Sequence, residues 1–298
     1  MRSTRSHAPI DLIPVMSPNR MFGIKAACPG MRGSTSEVAP HHGTSVATAI
    51  ATHSAVRIME ALQTAEQDPA HASVDEAFYS LIAKTLLVHS ARWDAPTVMG
   101  LKQIVNPNST LYWEHERDEL TRLLGYGRPD IERVLDCTEQ RATLIGWGTI
   151  GEGDADQYRV PLPREMENLA GFRAVSITVA WLTPMNLGHR MYRMAKLSAA
   201  PGEDKSFSVA VKAASAQPSH HAVDRGTVFH KVWQGDDAAP FVDNGDLVFN
   251  VDCKATAGAL DTTIPYGVAV TFEVGQDVAI PVYERVRERL RTAIRIQA

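Results

Sequence analysis

The pattern of hydrophobic residues changes near Cys137, and no other feature of the sequence constrains the fold as strongly. Before this point, apolar residues recur every three or four positions, most clearly between Ser45 and Gln63, and this spacing predicts amphipathic helices. After it, short β-branched runs alternate with turn residues at the spacing of a β-sandwich. We therefore predict a mixed α/β part over residues 1–138 and an all-β part over residues 139–298.

Individual helices and strands follow from the same periodicities. One helix is predicted to begin at Ser73, a candidate N-cap with Glu76 three residues later, and to end at His89. The other predicted helices are Ser45–Gln63, Glu114–Leu124, Pro129–Leu135 and an Arg-rich segment from Val282 to about Ile296. The predicted strands are Met21–Ala27, Ala142–Thr149, Gln157–Pro161, Ala174–Leu182, Arg190–Ser198, Ser206–Lys212, Gly226–Trp233, Leu247–Asp252 and Gly267–Val274.

Composition and charge exclude several classes of protein. With 44% hydrophobic and 21% charged residues, the chain has the composition of a globular protein. Its formal net charge of -4 gives no overall attraction to nucleic acid or to anionic lipid, so neither is an expected partner. No apolar run reaches the roughly 18–20 residues of a membrane-spanning helix.

The N-terminal segment and the three cysteines indicate the compartment of the protein and whether it binds a metal. The opening segment is interrupted by His7, Pro9 and Pro14 and lacks the apolar core of a secretory signal. The three cysteines form no C-x-x-C pair, which argues against a disulfide framework and against a zinc site. We therefore expect a cytoplasmic protein without a bound metal.

The turn His42-Gly43-Thr44-Ser45 carries the most chemical information, because it opens directly into the first predicted helix. At a helix N-terminus, free backbone N–H groups and the positive end of the dipole can stabilise a developing oxyanion. The hydroxyl of Ser45 is therefore placed as a nucleophile would be. The same residues also fit a simpler interpretation, in which Thr44 or Ser45 is an N-cap of the helix.

Residues 43–62, GTSVATAIATHSAVRIMEAL, resemble the nucleophile segment of the subtilisin-like serine peptidases, which reads G-T-S followed by small or apolar residues. Three further segments resemble that family in the same order along the chain: Ala27–Gly30, Leu81–Leu87 and Gly125–Asp130. This resemblance implies that residues 1–138 are the last part of a subtilisin-like α/β catalytic domain.

The second part of the chain resembles the large β domain of some bacterial subtilases. The segments Arg173–Pro184 and Gly226–Gly235 are similar to strands of that domain. The resemblance implies a jelly-roll-like β-sandwich over residues 139–298. It also implies an AAA-type ATPase as a candidate partner, since some related subtilases are encoded beside one.

The resemblance implies a serine-type endopeptidase that acts on peptide or protein substrates. Ser45 would attack the scissile carbonyl and form an acyl-enzyme, its own backbone N–H would help to hold the oxyanion, and neither a metal nor an organic cofactor would take part. His42-Gly43-Thr44 also resembles the histidine motif of the family, which would make His42 the general base. The downstream segments are those that follow the serine, and no second G-T-S occurs, so the assignment falls on Ser45.

The resemblance also points to missing partners. In this family an Asp, a His and an oxyanion-hole Asn precede the serine, whereas the 44 residues before Ser45 contain neither D-[ST]-G nor H-G-T-H. We therefore expect the chain to correspond to the C-terminal portion of a larger peptidase. Without an imidazole to accept its proton, Ser45 is a poor nucleophile, and little or no peptidase activity is expected of this chain alone.

A second interpretation assigns the function to the β-sandwich as a non-catalytic binding module. Aromatic side chains on the predicted strands could form a binding face, although such residues also commonly fill a sandwich core. Among the histidines, His53 is expected in the core, His220-His221 in a loop, and His230 half-buried or exposed on a strand. The five aromatic residues are Trp147, Trp181, Tyr192, Phe229 and Trp233.

Overall fold

The structure is a computed structural model. It describes residues 23–30, 33–65, 67, 73–162, 173–201, 217–234, 242–243, 246–275 and 281–287. The chain divides into two compact units, Met1–Val56 and Arg57–Ala298. The functional boundary that we place after residue 138 stays a prediction.

The first unit contains an antiparallel hairpin and the beginning of a long helix. Strand β1 (Ile24–Cys28) pairs with β2 (Glu37–His41) from Ile24↔His41 to Cys28↔Glu37. Helix α1 (Thr44–Ala65) follows, which confirms the helix predicted from Ser45. The helix can begin abruptly because Gly43 has φ +107°, a backbone conformation that favours glycine.

Four shorter helices come next: α2 (Tyr79–Ser90), α3 (Ala95–Val105), α4 (Trp113–Leu124) and α5 (Glu132–Leu135). A 3-10 turn (Glu76–Phe78) precedes α2, and the carboxylate of Asp75 accepts a hydrogen bond from the Ala77 N–H at 3.0 Å. The prediction of Ser73 as the cap of this helix is therefore wrong. Helix α3 was not predicted.

The remainder of the described chain is mainly antiparallel sheet. One four-stranded sheet has the order β3-β10-β5-β7, and the other has the order β4-β9-β6 with β8 paired to β9. A single turn of helix, α6 (Ala222–Arg225), precedes β7. The strands are β3 (Arg141–Ile150), β4 (Ala155–Pro161), β5 (Arg173–Trp181), β6 (Ala195–Pro201), β7 (Val228–Gln234), β8 (Val242–Asp243), β9 (Asp246–Ala255) and β10 (Ile264–Val274).

The two sheets enclose one hydrophobic core, and strand β5 shows how it is closed on both sides. Its residues Val175, Ile177 and Val179 are completely buried among the side chains of both sheets. The alternate residues Ser176, Thr178 and Ala180 are small, and α2 covers them, with Leu81 packed against Ala180. Because successive side chains of a strand point to opposite faces, a small outer face allows the helix to approach the sheet closely.

The observed elements agree with a fold that combines helices and antiparallel sheets. The predicted strand Arg190–Ser198 is shifted, since β6 begins at Ala195 and the preceding residues form a loop. Residues 282–287 are helical, while the rest of the predicted C-terminal helix and the predicted strand Ser206–Lys212 lie outside the described residues. Among the helices that are described, none has the length and apolar character needed to cross a membrane.

Candidate functional site

Ser45 lies in the first turn of α1, and its side chain is exposed. The first intrahelical hydrogen bond joins the Ala47 N–H to the Gly43 carbonyl at 3.1 Å. The N–H groups of Thr44, Ser45 and Val46 therefore precede the hydrogen-bond ladder and have no partner within the helix. This is the arrangement of hydroxyl and free donors that the sequence predicts.

The hydroxyl of Ser45 is not engaged as a cap. Within the described part of the chain, its Oγ forms no hydrogen bond. Thr48 and Thr52 instead donate their hydroxyls to carbonyls one turn earlier in α1, at 2.8 and 2.9 Å. His41 and His42 are close in sequence and exposed, but neither is held against Ser45 by a hydrogen bond.

Of the three remaining histidine expectations, the one for His220 and His221 is confirmed, since both lie in a turn before α6, and the other two are wrong in opposite directions. His53 is exposed on α1 rather than in a core. His230 on β7 is only 7% exposed, although the sequence predicts a half-buried or exposed residue. Of the described residues, no group of three or more His, Cys, Asp or Glu side chains is placed to hold a metal ion.

Most of the aromatic residues considered for a binding face fill the sandwich core, which is the alternative expected of such residues. Trp181, Phe229 and Trp233 lie in the sandwich core, where none is more than 4% exposed. The indole N–H of Trp181 donates to the Ala195 carbonyl at 3.1 Å, which satisfies it inside the core. Trp147 is half-buried and Tyr192 is exposed, so the five residues do not share one surface.

A buried polar network joins α2 to the sheet. His89 Nδ1 lies 2.7 Å from the Thr178 hydroxyl, and His89 Nε2 lies 2.7 Å from the Thr271 hydroxyl. Thr178 also lies 2.7 Å from His230 Nδ1, and Thr271 lies 2.7 Å from Thr143. Each threonine hydroxyl can donate once and still accept, so the chain of bonds can be satisfied with both histidines neutral.

Burial keeps these histidines uncharged. Desolvation, together with the nearby guanidinium of Arg92, lowers the pKa of His230 to about 3. The same causes hold the pKa of His89 well below its ordinary value. Arg92 donates to the His89 and Ala91 carbonyls at 2.7 Å, and its burial lowers its own pKa to about 10. The network is therefore a neutral packing element rather than a charged catalytic dyad.

Neither His89 nor its partners were predicted from the sequence. One signal was available: His89 occupies the same face of the predicted helix as the apolar residues Ile82 and Leu86, and a histidine there needs polar partners when buried. The identity of those partners depends on the pairing of β5, β7 and β10, which the sequence pattern does not specify.

Comparison with known proteins adds little to this picture. No family model and no curated protein matches the sequence. Among solved structures, a chain of the cyanophage Pam1 capsid asymmetric unit is similar, with 16% sequence identity over 46% of this chain and 83% of that chain, and a TM-score of 0.24. A likeness at this level carries no argument about fold or function.

Proposed function

We propose that this chain carries the serine-bearing part of a subtilisin-like serine endopeptidase, followed by a jelly-roll-like β-sandwich. The observation that carries the proposal is the exposed Ser45 hydroxyl in the first turn of a 22-residue helix. The motif around Ser45 and the ordered segments that resemble the same family support it. Two four-stranded antiparallel sheets around one core are compatible with the proposed β domain.

In the proposed reaction, Ser45 Oγ attacks the scissile carbonyl of a peptide and forms an acyl-enzyme, which water then hydrolyses. The Ser45 backbone N–H, which precedes the helical hydrogen-bond ladder, is placed to donate to the oxyanion that develops on the carbonyl oxygen. The positive end of the α1 dipole stabilises the same negative charge. These contributions lie within residues 43–47.

The general base is the missing part. A serine hydroxyl needs an imidazole to accept its proton, and that imidazole needs a carboxylate to orient it. Ser45 Oγ forms no hydrogen bond with a described residue, and the 44 residues before it contain neither D-[ST]-G nor H-G-T-H. We therefore propose that the histidine and aspartate are supplied from outside this chain. The chain on its own is then inactive as a peptidase.

Fluorophosphonate labelling with mass-spectrometric mapping tests both statements. Protein isolated from the cells that make it should be labelled at Ser45, and Ser45→Ala should abolish the label. Ser36→Ala removes another exposed serine of the same unit and should leave labelling unchanged. The 298-residue chain expressed alone should react no faster than its own Ser45→Ala variant.

The outcomes separate the two statements. An unlabelled Ser45 in the protein from its natural source overturns the nucleophile assignment. Labelling of the isolated chain at Ser45 overturns the proposal that the base comes from outside it.

A second candidate function is that the sandwich is a binding module. The aromatic residues first considered as its binding face lie largely in the core. The loop between β5 and β6, which exposes large apolar residues, favours this function instead.

A further inference from the structure

The loop between β5 and β6, residues 182–194, exposes an unusual amount of apolar surface. Scattered exposed apolar residues are normal, but a contiguous patch marks an interaction site. Leu187, at the tip, is 86% exposed. The other large apolar residues of this loop that are exposed are Leu182 at 52%, Met185 at 64%, Met191 at 41% and Tyr192 at 45%.

Hydrogen bonds hold the loop in one shape. The Asn186 N–H donates to the Tyr192 carbonyl at 2.7 Å, and the Met194 N–H donates to the Pro184 carbonyl at 3.1 Å. The side-chain amide of Asn186 also donates to the Ala257 carbonyl at 2.9 Å, which ties the loop to the chain after β9. The apolar side chains are thus displayed on a preformed surface, which reduces the entropy cost of binding.

A cleft of about 410 Å³ lies beside this loop. Met185, Leu182 and Tyr192 line it on the loop side, and Gly226 and Thr227 line it on the side of β7. Its volume falls within the range of ligand-binding sites, roughly 300–1,000 Å³. Methionine walls adapt their shape to different apolar side chains.

Arg193 lines the cleft, and Lys84 hydrogen-bonds to two of the residues that line it, Trp181 and Thr227. Among the described residues, both cations have only neutral partners. The Arg193 guanidinium lies 4.7 Å from the centre of the Tyr192 ring and donates to the Tyr192 hydroxyl at 2.7 Å and to the Asp224 carbonyl at 2.6 Å. Lys84 Nζ donates to the Thr227 hydroxyl at 2.6 Å and to the carbonyl of Trp181 at 3.1 Å.

Among the described residues, the neighbouring charged side chains do not neutralise Arg193 or Lys84. Arg225 is already paired with Asp118 at 2.8 Å, and the Asp224 carboxylate is paired with Lys196. Burial lowers the pKa of Lys84, so the positive charge that faces the cleft is mainly that of Arg193. The cleft therefore places a guanidinium with neutral partners beside an apolar wall.

We propose that the 182–194 loop and the adjacent cleft bind an extended peptide segment in which a large apolar side chain stands next to a glutamate or aspartate. The apolar side chain contacts Met185 and Leu187, and the carboxylate accepts a hydrogen bond from Arg193. A peptide is favoured over a small molecule because the exposed apolar surface continues beyond the cleft to Leu187. The inference does not depend on Ser45.

Calorimetric titration of the full chain tests the proposal. The probe is an acetylated and amidated peptide, Gly-Leu-Leu-Glu-Gly, and the matched peptide carries Gln in place of Glu. We expect saturable binding of the first and a loss of about tenfold in affinity for the second, because a hydrogen bond to a charged group contributes about 1.5 kcal/mol or more.

Variants at the surface have control variants at exposed apolar residues of helices α3 and α4. Met185→Ser and Leu187→Ser should each weaken binding, whereas Met99→Ser and Leu123→Ser, at positions that are 65% and 59% exposed, should not. Arg193→Gln should abolish the preference for Glu over Gln, and Arg122→Gln should preserve it. Leu187 is so exposed that its substitution leaves folding unchanged.

Three results would overturn the proposal. The first is the absence of saturable binding by the Glu peptide at millimolar concentration. The second is equal loss of binding in the loop variants and in their controls. The third is binding to phosphatidylserine–phosphatidylcholine vesicles without binding to the peptide, which would assign the loop to a membrane surface instead.

Discussion

Mild acid should destabilise the protein through the two histidines buried between α2 and the sheet. His89 and His230 share the Thr178 hydroxyl and are held neutral inside the protein. The guanidinium of Arg92 lowers the pKa of both histidines, and that of Arg133 also lowers the pKa of His89. These cations oppose protonation, so the folded state binds fewer protons than the unfolded state.

The sign and the pH range follow from linkage. In the unfolded chain a histidine has its ordinary pKa of about 6.5, while the pKa of His230 in the folded protein is about 3. Stability is therefore fully present above about pH 6.5 and falls as the pH is lowered towards the folded pKa. At pH 5, about 1.5 units below the pKa of an unfolded histidine, the unfolded chain is protonated at this position and the folded protein is not. His230 alone therefore lowers the free energy of unfolding by about 2 kcal/mol. The lowered pKa of His89 acts in the same direction.

Urea denaturation followed by circular dichroism measures this effect between about pH 7.5 and about pH 5. His230→Asn keeps a polar side chain beside Thr178 but removes the titrating ring, and it should reduce the loss of stability on acidification by about 2 kcal/mol. His115→Gln alters an exposed histidine on α4 and should leave the pH profile unchanged. The reasoning is refuted if His230→Asn and the unaltered protein lose stability equally, or if His115→Gln flattens the profile.

Two further predictions use the same denaturation assay. Gly127→Ala should lower the free energy of unfolding by about 2–4 kcal/mol, because Gly127 has φ +102° and an added Cβ would lie 2.3 Å from the Arg92 carbonyl oxygen. Gly100 lies in open space within α3, so Gly100→Ala should instead stabilise the protein by about 0.5–1 kcal/mol. Equal effects of the two substitutions would contradict this prediction. Asp94→Ala should cost about 1 kcal/mol, because the Asp94 carboxylate accepts from the Thr97 N–H at 3.0 Å and caps α3; an unchanged midpoint would show that the cap contributes nothing.

Local periodicity was sufficient for most of the individual helices and strands. Helix α4 and strands β3, β5 and β9 lie within a few residues of their predicted bounds, because alternating or three-to-four-residue spacing depends only on neighbouring positions. Helix α3 was not predicted, although Val98, Leu101 and Val105 recur at helical spacing. These residues are only half-buried, and Met99 and Ile104 are 65% and 37% exposed, so its apolar residues do not separate cleanly into a buried and an exposed face.

The setting of Ser45 was also predictable, since a glycine turn and a helix start are local features. What the sequence could not predict is the surroundings of a side chain that depends on distant segments. Trp181 and Tyr192 are both aromatic residues on predicted strands, yet Trp181 is buried in β5 and Tyr192 is exposed. Tyr192 lies in the loop because β6 begins at Ala195 and not at Arg190.

The network around Thr178 shows the same limit more sharply. Thr178 and His230 face each other because β5 and β7 pair in the register Thr178↔His230. Thr271 reaches His89, the other histidine bonded to Thr178, only because β10 pairs with β5 through Ser176↔Thr271. A slip of one residue would turn every side chain of a strand to the opposite face and would place His230 in the apolar core without a partner. A buried polar group that loses its hydrogen bonds is costly. The threonine and histidine side chains therefore help to specify the register. The sequence alone does not give that register, so it does not predict which residues form the sheet face that α2 covers.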